Sequence, residues 1–319
     1  MEQLTVDVAV VAYRHWELTQ SCLAHLAVQT REHTVYLCDN GCDEGTAERV
    51  RNEFPSVEIV SLERNEQFAV ACNRVVAAGS GDAVVIMNND VDARPDFVER
   101  LVAPMEVDSA IGSVAAVLVR PGERTIDSVG LVADPTLAPF ARWQGAEPTR
   151  VPVDYPGLTT ADGAAGAFRR RAWEQVGGID EDLPHHQDFE LGVRVCNAGW
   201  GVALARDAVA VHVRSATRSN VTSRGRLEAG FGRAYILRRY GVLRSWWGPR
   251  ALATEAMVVA VDLAVSRDVA ALTGRLAGWR AAGGRPRLRR PDPGVLDKRI
   301  TFLGSIRMRR AVYERRATR

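Results

Sequence analysis

Two aspartates, Asp90 and Asp92, follow an apolar run at residues 83–87 in the sequence Asn-Asn-Asp-Val-Asp that begins at Asn88. In an extended or tightly turned backbone the two carboxylates point to the same side. Paired carboxylates suit a hard divalent cation, which takes oxygen ligands and keeps waters or phosphates in its other positions. The alternative is a solvated acidic turn in which an aspartate caps a helix beginning near Pro95. The first interpretation predicts an enzyme that holds a diphosphate through Mg²⁺ or Mn²⁺.

Length and composition limit the class of protein. The chain has 319 residues, 46% of them apolar, which is enough for one large domain or two modest ones. The formal net charge of +2 argues against nucleic acid as a partner of the whole protein. The five cysteines show no paired metal-ligand spacing, and we see no signal peptide, so we expect reduced thiols in a cytoplasmic protein. No apolar run reaches the ~18 residues that span a bilayer.

Strand and helix patterns alternate along the first third of the chain. Apolar runs predict strands at 6–12, 34–38, 57–62 and 83–87, and helical spacing follows each of them at 17–29, 44–53, 69–78 and 95–107. This order predicts an α/β fold with parallel strands, right-handed crossovers and helices on both faces. Ligands of such sheets bind beyond the carboxyl ends of the strands. Four polar residues fall at or just past predicted strand ends: Tyr13, Asp39, Asn65 and Asp90.

The middle of the chain is less regular. A strand is predicted at 114–119, and the segment 127–156 is rich in proline and glycine, as expected of loops or a small hairpin that shape a substrate site. The small residues at 162–167 permit either close approach of the backbone to a ligand or a tight strand crossing. Further patterns predict helices at 171–176 and 189–198 and short strands at 202–205 and 209–213.

The last part of the chain has a different character. Helices are predicted at 227–240, 250–265 and 300–319, with a linker at 283–293. We therefore divide the chain into residues 1–220 and a helical, arginine-rich extension at residues 221–319. The apolar helix at 250–265 is expected to pack on the main domain or on a second subunit, which would make a homodimer. Arginines together with Trp246, Trp247 and Trp279 also suit peripheral contact with an anionic membrane surface.

Four segments carry a family resemblance when they are taken in order. They are Val-Val-Ala-Tyr at 10–13, Asp-Asn-Gly at 39–41, Asn-Asn-Asp-Val-Asp at 88–92, and Gly-Ala-Phe-Arg-Arg at 166–170 through Gly-Gly-Ile-Asp-Glu at 177–181, running into His-Gln-Asp-Phe-Glu-Leu-Gly-Val-Arg at 186–194. Together they resemble the family 2 glycosyltransferases with the GT-A fold, and most closely bacterial rhamnosyltransferase-like members. The resemblance covers about residues 4–215. It implies a mixed, mostly parallel sheet, a nucleotide-sugar donor, a divalent metal and inversion at the anomeric carbon.

The resemblance also implies which residues bind the donor. Asp39 matches the acid that hydrogen-bonds the base or ribose, as a carboxylate can; an Asx-turn is the structural alternative. Tyr13 lies where the family's first loop packs beside the base. Asn65 and Asn73 match a donor-pocket segment in which Gln67 replaces the family's glycine.

For the metal site, Asp90 matches the first acid of the metal motif, near the ribose or a metal-bound water, and Asp92 matches the direct metal ligand. His212 matches a third contact to metal or diphosphate, and imidazole suits Mn²⁺ better than Mg²⁺. A structural role is the alternative for His212. Arg214 and Arg218 can hold phosphate oxygens or can simply be solvated.

Asp188 matches the family's general base. The family pattern is Glu-Asp, whereas this chain has Gln187 before Asp188. Because a neighbouring negative charge is lost, we expect the pKa of Asp188 to be less raised than in a paired-carboxylate site. Asp188 can also cap the following helix, and both roles can hold at once. His185 and His186 flank this site as candidate contacts to the acceptor.

These residues predict a metal-dependent, inverting glycosyltransferase. It would move a sugar from a dTDP- or UDP-sugar to an acceptor hydroxyl, either on a cell-surface glycan or lipid-linked intermediate or on a soluble natural product. A nucleotidyltransferase is disfavoured because the loop at 12–16 has no glycine. A non-catalytic nucleotide-sugar-binding module stays open because Gln187 stands where the family has an acid.

Overall fold

In the computed structural model, which describes residues 3–42, 45–151, 157–213 and 222–317, strands and helices alternate through the first part of the chain. The elements there are β1 (Val6–Ala12), α1 (Trp16–Ala27), β2 (Thr34–Asn40), α2 (Thr46–Glu53), β3 (Glu58–Leu62), α3 (Phe68–Ala78), β4 (Ala83–Asn88), β5 (Val91–Ala93) and α4 (Phe97–Val107). The four predicted strand–helix pairs are confirmed, and β5 is an addition to them.

The second part of the chain completes the sheet and adds helices. Its elements are β6 (Ile111–Val119), β7 (Ile126–Ser128), β8 (Leu131–Ala133), β9 (Pro139–Ala141), β10 (Ala165–Arg169), α5 (Arg170–Val176), α6 (Gln187–Asn197), β11 (Gly201–His212), α7 (Ser223–Arg239), α8 (Gly248–Ser266), α9 (Ala270–Ala281) and α10 (Phe302–Ala317). Short 3₁₀ turns lie at Pro148–Arg150, Val242–Arg244 and Ala282–Gly284.

One mixed sheet organises the described residues, with strand order β3-β2-β1-β4-β10-β6-β11-β5 and β7 paired to β6. β1 to β4 are mutually parallel, β10 is antiparallel to its neighbours β4 and β6, and β11 is parallel to β6. β8 and β9 form a separate antiparallel pair. The predicted α/β class, with a mostly parallel sheet flanked by helices, is confirmed.

The core lies on both faces of this sheet because alternate side chains of a strand point to opposite faces. In β1, Val8 and Val10 join a cluster with Leu23 of α1 and Phe97 of α4. Ala9 and its neighbour Val11 join the cluster on the other face with residues of α3, α5 and α6. All seven residues of β1 are buried, as expected for a central strand covered on both sides.

Two features of the sheet differ from the prediction. The run of small residues at 162–167 contains the start of β10, a central strand that the sequence analysis did not predict, and this placement is consistent with a tight strand crossing. A Cβ on Gly166 would lie 2.3 Å from the Cβ of Ala161, which is why a glycine stands there. The two strands predicted at 202–205 and 209–213 are one strand, β11, with an irregularity between Leu204 and Val209.

The C-terminal helices pack directly on the sheet domain. The hydroxyl of Tyr235 donates to Asp180 at 2.7 Å and the hydroxyl of Tyr240 donates to buried Glu190 at 2.8 Å. The boundary predicted at residue 220 stays a prediction, and these contacts show how closely the two parts pack. Within the described part of the chain, no helix combines the length and the hydropathy needed to cross a membrane.

The sequence analysis did not predict helix α9, because the buried side of this helix consists of Ala271, Gly274 and Gly278 instead of large apolar residues. These small residues let α9 lie against α7: a Cβ on Gly274 would be 2.0 Å from the carbonyl oxygen of Leu227. We expect Gly274→Ala to lower the free energy of unfolding by about 1–3 kcal/mol, although alanine favours helices. Gly284→Ala is the control, because a Cβ there meets nothing within 4 Å. Equal urea midpoints for the two variants would contradict this packing.

Candidate active site

The carboxyl ends of the central strands meet at one edge of the sheet. Ala12 of β1 pairs with Asp39 of β2, and Val11 pairs with Asn88 of β4. The residues that follow these strands are therefore neighbours, as the topology predicted. Tyr13 and the Asp90 turn share this edge.

On the β2 side of this edge, backbone groups hold Asp39 in place. The N–H of Cys42 donates to Asp39 Oδ1 at 2.9 Å, so Asp39 holds the turn through Gly41 by a bond one residue longer than that of the Asx-turn proposed as its alternative role. Gly41 adopts a left-handed φ of 69°, and a Cβ on it would lie 2.4 Å from the backbone nitrogen of Asn65. Glycine therefore allows the turn after β2 to lie against the segment that carries Asn65.

Asn40, which the sequence analysis did not single out, joins these segments. Its Nδ2 donates to Asn65 Oδ1 at 3.2 Å and to the carbonyl of Glu66 at 3.0 Å, and its Oδ1 accepts from the N–H of Glu66 at 2.9 Å. Asn40 therefore positions Asn65 beside Asp39. Its place at the last residue of β2 was the one available signal.

A second asparagine shapes the loop after β1. Asn89 Nδ2 donates to the carbonyl of Arg14 at 3.2 Å and to Thr19 Oγ1 at 2.9 Å. Arg14 and His15 both have φ near 60°, and the Arg14 guanidinium lies 5.0 Å from the centroid of the Tyr13 ring. The metal-motif turn and the Tyr13 loop are thus coupled.

Asn73 lies in α3 and is engaged by the chain itself. Its Nδ2 donates to the carbonyl of Ile179 and to Glu181 Oε1, both at 2.9 Å, and its Oδ1 accepts from the N–H of Ile179 at 2.9 Å. Both amide hydrogens are therefore used within the protein. The contacts place Asn73 as a support for the segment between α5 and α6, and donor binding by Asn73 stays a prediction.

The carboxylate of Asp90 faces His212, although the two residues are distant in sequence. β5 pairs antiparallel with the end of β11, and the N–H of Val213 donates to the carbonyl of Asp90 at 2.9 Å. His212 Nε2 lies 3.4 Å from Asp90 Oδ1, and His212 Nδ1 lies 2.8 Å from Asp127 Oδ2. Asp127, which the sequence analysis treated only as the start of a loop, thus fixes the orientation of the ring.

The charge of His212 follows from these partners. Burial lowers its pKa, but hydrogen bonds to Asp127 and Asp90 and the charges of both carboxylates outweigh burial and raise the pKa to about 9. An imidazole whose Nδ1 is bound by a carboxylate can present Nε2 to a cation once Nε2 is unprotonated. Asp90 Oδ1 and His212 Nε2 therefore face each other across 3.4 Å, and a ring with this pKa is protonated at neutral pH.

Asp92 has other partners than Asp90, and its pairing with His212 at a metal stays a prediction. Ser21 Oγ donates to Asp92 Oδ1 at 2.8 Å, and His25 Nδ1 is 3.5 Å from the same oxygen. The reason is local: residues 89–90 form a turn between β4 and β5, so the side-chain alternation of an extended strand does not relate Asp90 to Asp92. No group of three histidine, cysteine or acidic side chains that could hold a metal occurs among the described residues.

Asp188 is the second residue of α6 and lies two positions after the helix cap, so the sequence-based prediction that Asp188 itself caps the helix is wrong. The cap is His186, which has a left-handed φ of 66°. Asp188 Oδ2 accepts from the N–H of Gly163 at 3.0 Å and Oδ1 accepts from the N–H of Phe189 at 2.8 Å. Because Asn88 N donates to the carbonyl of residue 164 at 2.9 Å, the Asp188 loop is tied to the end of β4.

The pKa of Asp188 is raised to about 6, first by burial and then by the negative charge of Asp162, against hydrogen bonds from backbone N–H groups that lower it. The sequence analysis expected a smaller effect because Gln187 replaces the family's acid. The fold supplies a carboxylate from another segment instead. A carboxylate with this pKa is ionised at neutral pH and is a stronger base than an ordinary aspartate.

A cavity of about 230 Å³ opens beside Asp188. Its lining combines apolar residues of β8 and β9 with residues at the start of α6: Leu131, Pro139, Ala141, His185, His186, Gln187 and Asp188. Burial, followed by the neighbouring His185, holds the pKa of His186 well below its ordinary value, so this ring is neutral. The segment 127–156 therefore contributes to a cavity at the base, as its composition predicted.

Asp162→Asn should lower the pKa of Asp188, because it removes the negative charge that helps to raise it. The acid limb of the kcat/KM profile should then move to lower pH. Gln187→Glu is the matched counterpart, since an added carboxylate should move the same limb to higher pH. Profiles that stay superimposed in both variants would contradict the role of Asp188 as the titrating base.

Comparison with known proteins identifies the family of the chain. The model of glycosyl transferase family 2 matches residues 7–177. Over 238 residues the chain is 28% identical to the N-acetylglucosaminyl-diphospho-decaprenol L-rhamnosyltransferase of Mycobacterium tuberculosis, in strains CDC 1551 and H37Rv, covering 65% of this chain and 75% of that protein.

Solved structures share the fold. The mannosyltransferase PcManGT from Pyrobaculum calidifontis, in complex with GDP-Man and Mn²⁺, matches with a TM-score of 0.54 and 19% identity over 89% of this chain and 77% of that one. GalNAc-T7 with UDP, GalNAc and Mn²⁺ matches with a TM-score of 0.58 and 14% identity over 89% of this chain and 56% of that one. Arg214 and Arg218 lie outside the described residues.

The family match, the mycobacterial relative and the solved structures together show that the protein is a glycosyltransferase with the GT-A fold, and that the chain belongs to glycosyl transferase family 2.

Proposed function

We propose that this glycosyltransferase moves a sugar from a nucleoside-diphosphate donor to a hydroxyl of a lipid-linked glycan, with inversion and with a divalent metal. The observation that carries the proposal is Asp188, a carboxylate of raised pKa beside a cavity and tied through residue 164 to the edge that holds Asp90 and His212. A base on one side and a cation site on the other are what a displacement at a sugar carbon requires.

The metal site we propose consists of Asp90 and His212, in place of Asp92 and His212. Asp90 is 6% exposed, and its Oδ1 is 3.4 Å from Nε2 of His212. A carboxylate and an imidazole suit Mn²⁺, and two protein ligands leave positions for diphosphate oxygens and water. Two neighbours in fold were solved with Mn²⁺. When bound, the cation would neutralise charge on the departing diphosphate.

The donor side follows from the sheet edge. Asp39 can accept a hydrogen bond from the base or ribose, and Tyr13 can pack beside the base. Asn65 is held near them by its hydrogen bond from Asn40. We propose a positioning role for Asn73, because its amide already supports the segment before α6.

Asp188 takes the proton from the acceptor hydroxyl as this oxygen attacks the anomeric carbon. Attack from the side opposite the diphosphate inverts the configuration at that carbon. Ionised Asp188 is available above pH ~6 and stays oriented by the N–H groups of Gly163 and Phe189. The cavity at β8 and β9 receives the acceptor, with neutral His186 in its wall.

The class of acceptor rests on the mycobacterial relative, whose name gives an N-acetylglucosaminyl-diphospho-decaprenol acceptor and an L-rhamnosyl group. We propose a polyprenyl-diphosphate-linked sugar as acceptor and a dTDP- or UDP-linked hexose or deoxyhexose, such as L-rhamnose, as donor. The apolar lining from β8 and β9 is compatible with such an acceptor near its lipid.

The test combines Mn²⁺ with UDP-, dTDP- and GDP-sugars, first in thermal unfolding and then with N-acetylglucosaminyl-diphospho-prenol as acceptor. A donor that binds raises the melting temperature by mass action, and mass spectrometry detects the product. The anomeric configuration of the product, read by NMR, tests inversion. Nucleoside diphosphate released without any acceptor would still identify an enzyme. Donor binding with neither release nor transfer would indicate a non-catalytic binding module and contradict the proposal.

A further inference from the structure

Helix α8 turns its charged side chains into the protein and its apolar side chains outward. Its charged residues are Arg250, Glu255 and Asp262. Glu255 is 7% exposed and Asp262 is 4% exposed, and Arg250 is half-buried. Glu255 accepts from Arg233 at 2.7 Å and from Arg275 at 2.6 Å. Ion pairs therefore stabilise the buried charge of Glu255, and none of the three charged side chains of α8 is fully exposed to solvent.

Apolar side chains are exposed on both α8 and α9, and we name these residues together the α8–α9 surface. Its residues run along α8, around the connecting corner and along α9, and are 39% to 78% exposed: Leu252, Val261, Val265, Val269, Leu272 and Leu276. A soluble helix normally shows the opposite distribution, with apolar residues inward. A large exposed apolar surface marks a site that contacts another protein or a membrane.

Aromatic and cationic residues border this surface. Trp246, before α8, is 91% exposed, and Trp279, near the end of α9, is 37% exposed. Arg244, Arg267 and Arg280 are exposed, and none of them is ion-paired to another described residue. Tryptophan prefers the boundary between water and lipid, and arginine near that boundary is attracted to anionic headgroups.

We infer that the α8–α9 surface docks on an anionic lipid bilayer. A bilayer supplies an apolar layer for the helices and negative headgroups for the arginines at the border. A second copy of the chain fits less well, because its own α8–α9 surface contains no acidic residue to pair with these arginines. The benefit of docking rests on the proposed lipid-linked acceptor, which would be reached at the membrane surface; the binding itself does not depend on it.

The test is co-sedimentation of the full chain with vesicles of phosphatidylcholine alone or mixed equally with phosphatidylglycerol. We expect binding to the mixed vesicles and a fall of at least about tenfold in partitioning for Val261→Glu/Leu272→Glu, because two charges then face the acyl region. Val107→Glu is the matched control: Val107 is 79% exposed at the end of α4, outside this surface, and the variant should bind as the parent does.

A second variant tests the arginines at the border and leaves the apolar residues of the α8–α9 surface unchanged. Arg267→Ser/Arg280→Ser should lose roughly tenfold or more in binding to the anionic vesicles, with an unchanged melting temperature. The inference is overturned if the parent stays in the supernatant at low salt, or if both double variants bind as the parent does. It is also overturned if light scattering shows a dimer that Val261→Glu/Leu272→Glu dissociates while vesicles bind neither protein. Donor binding with Mn²⁺, measured without vesicles, tests the proposed function separately.

Discussion

Asp188→Asn should lower sugar transfer about a thousand-fold, within the range of about 10²–10⁴ that a positioned general base contributes. The substitution keeps the shape of the side chain and leaves an oxygen that can accept from Gly163 or Phe189. It removes the group that we propose takes the proton of the acceptor hydroxyl. Donor affinity should change little, because Asp188 borders the acceptor cavity and not the β1–β2 edge. Transfer rate and donor dissociation constant, measured on the same protein, check both statements.

The pH dependence gives an independent measurement of the same role. The base acts when deprotonated, and its pKa is about 6. The parent's kcat/KM should therefore rise with pH through about 6 and then level off. Asp188→Asn should lose this limb. Asp96→Asn, a matched change at an aspartate whose side chain is 42% exposed, should keep both rate and profile. Transfer by Asp188→Asn at close to the parent rate would exclude Asp188 as the base.

Asp90→Asn should weaken Mn²⁺-dependent donor binding by roughly a hundredfold or more, since loss of even an outer-shell partner typically reduces metal affinity about 10- to 100-fold. Asparagine keeps the size of the side chain but removes the negative charge that faces the cation. His212→Ala should act in the same direction, because it removes the nitrogen 3.4 Å from Asp90. Calorimetric titration of the donor with and without Mn²⁺ measures the effect, and EDTA should abolish the difference.

Asp92→Asn is the informative control for that experiment. Asp92 bonds to Ser21 and lies near His25 on α1, whereas His212 lies against Asp90 and Asp127. We therefore expect Asp92→Asn to keep most of the Mn²⁺ dependence. If Asp92→Asn loses the Mn²⁺ dependence while Asp90→Asn keeps it, Asp92 is the metal ligand, as the sequence motif predicted. The metal site must then involve a rearrangement of the β4–β5 turn.

The sequence alone determined the order of strands and helices and the edge of the sheet at which the candidate donor residues lie. Apolar runs of strand length separated by helical spacing are local signals, and they located β1 to β4 to within about two residues. Parallel strands then bring residues such as Tyr13 and Asp39 to the same edge by topology alone. The candidate base could also be named in advance, because Asp188 lies in a segment whose residues resemble those of the family.

Tertiary structure decided how the site is assembled, because its decisive contacts join residues far apart in sequence. His212 and Asp127 are 85 positions apart, and no local pattern pairs them. Asp162 helps to raise the pKa of Asp188 from another segment of the chain, whereas Gln187 had predicted only that this pKa is less raised than in a paired-carboxylate site. The polarity of α8 was also decided by packing: its apolar composition suggested burial, but ion pairs of Glu255 with Arg233 and Arg275 occupy the interior and leave the apolar side outward. Periodicity predicts that a helix has two different faces, and only the partners available in the fold determine which face is buried.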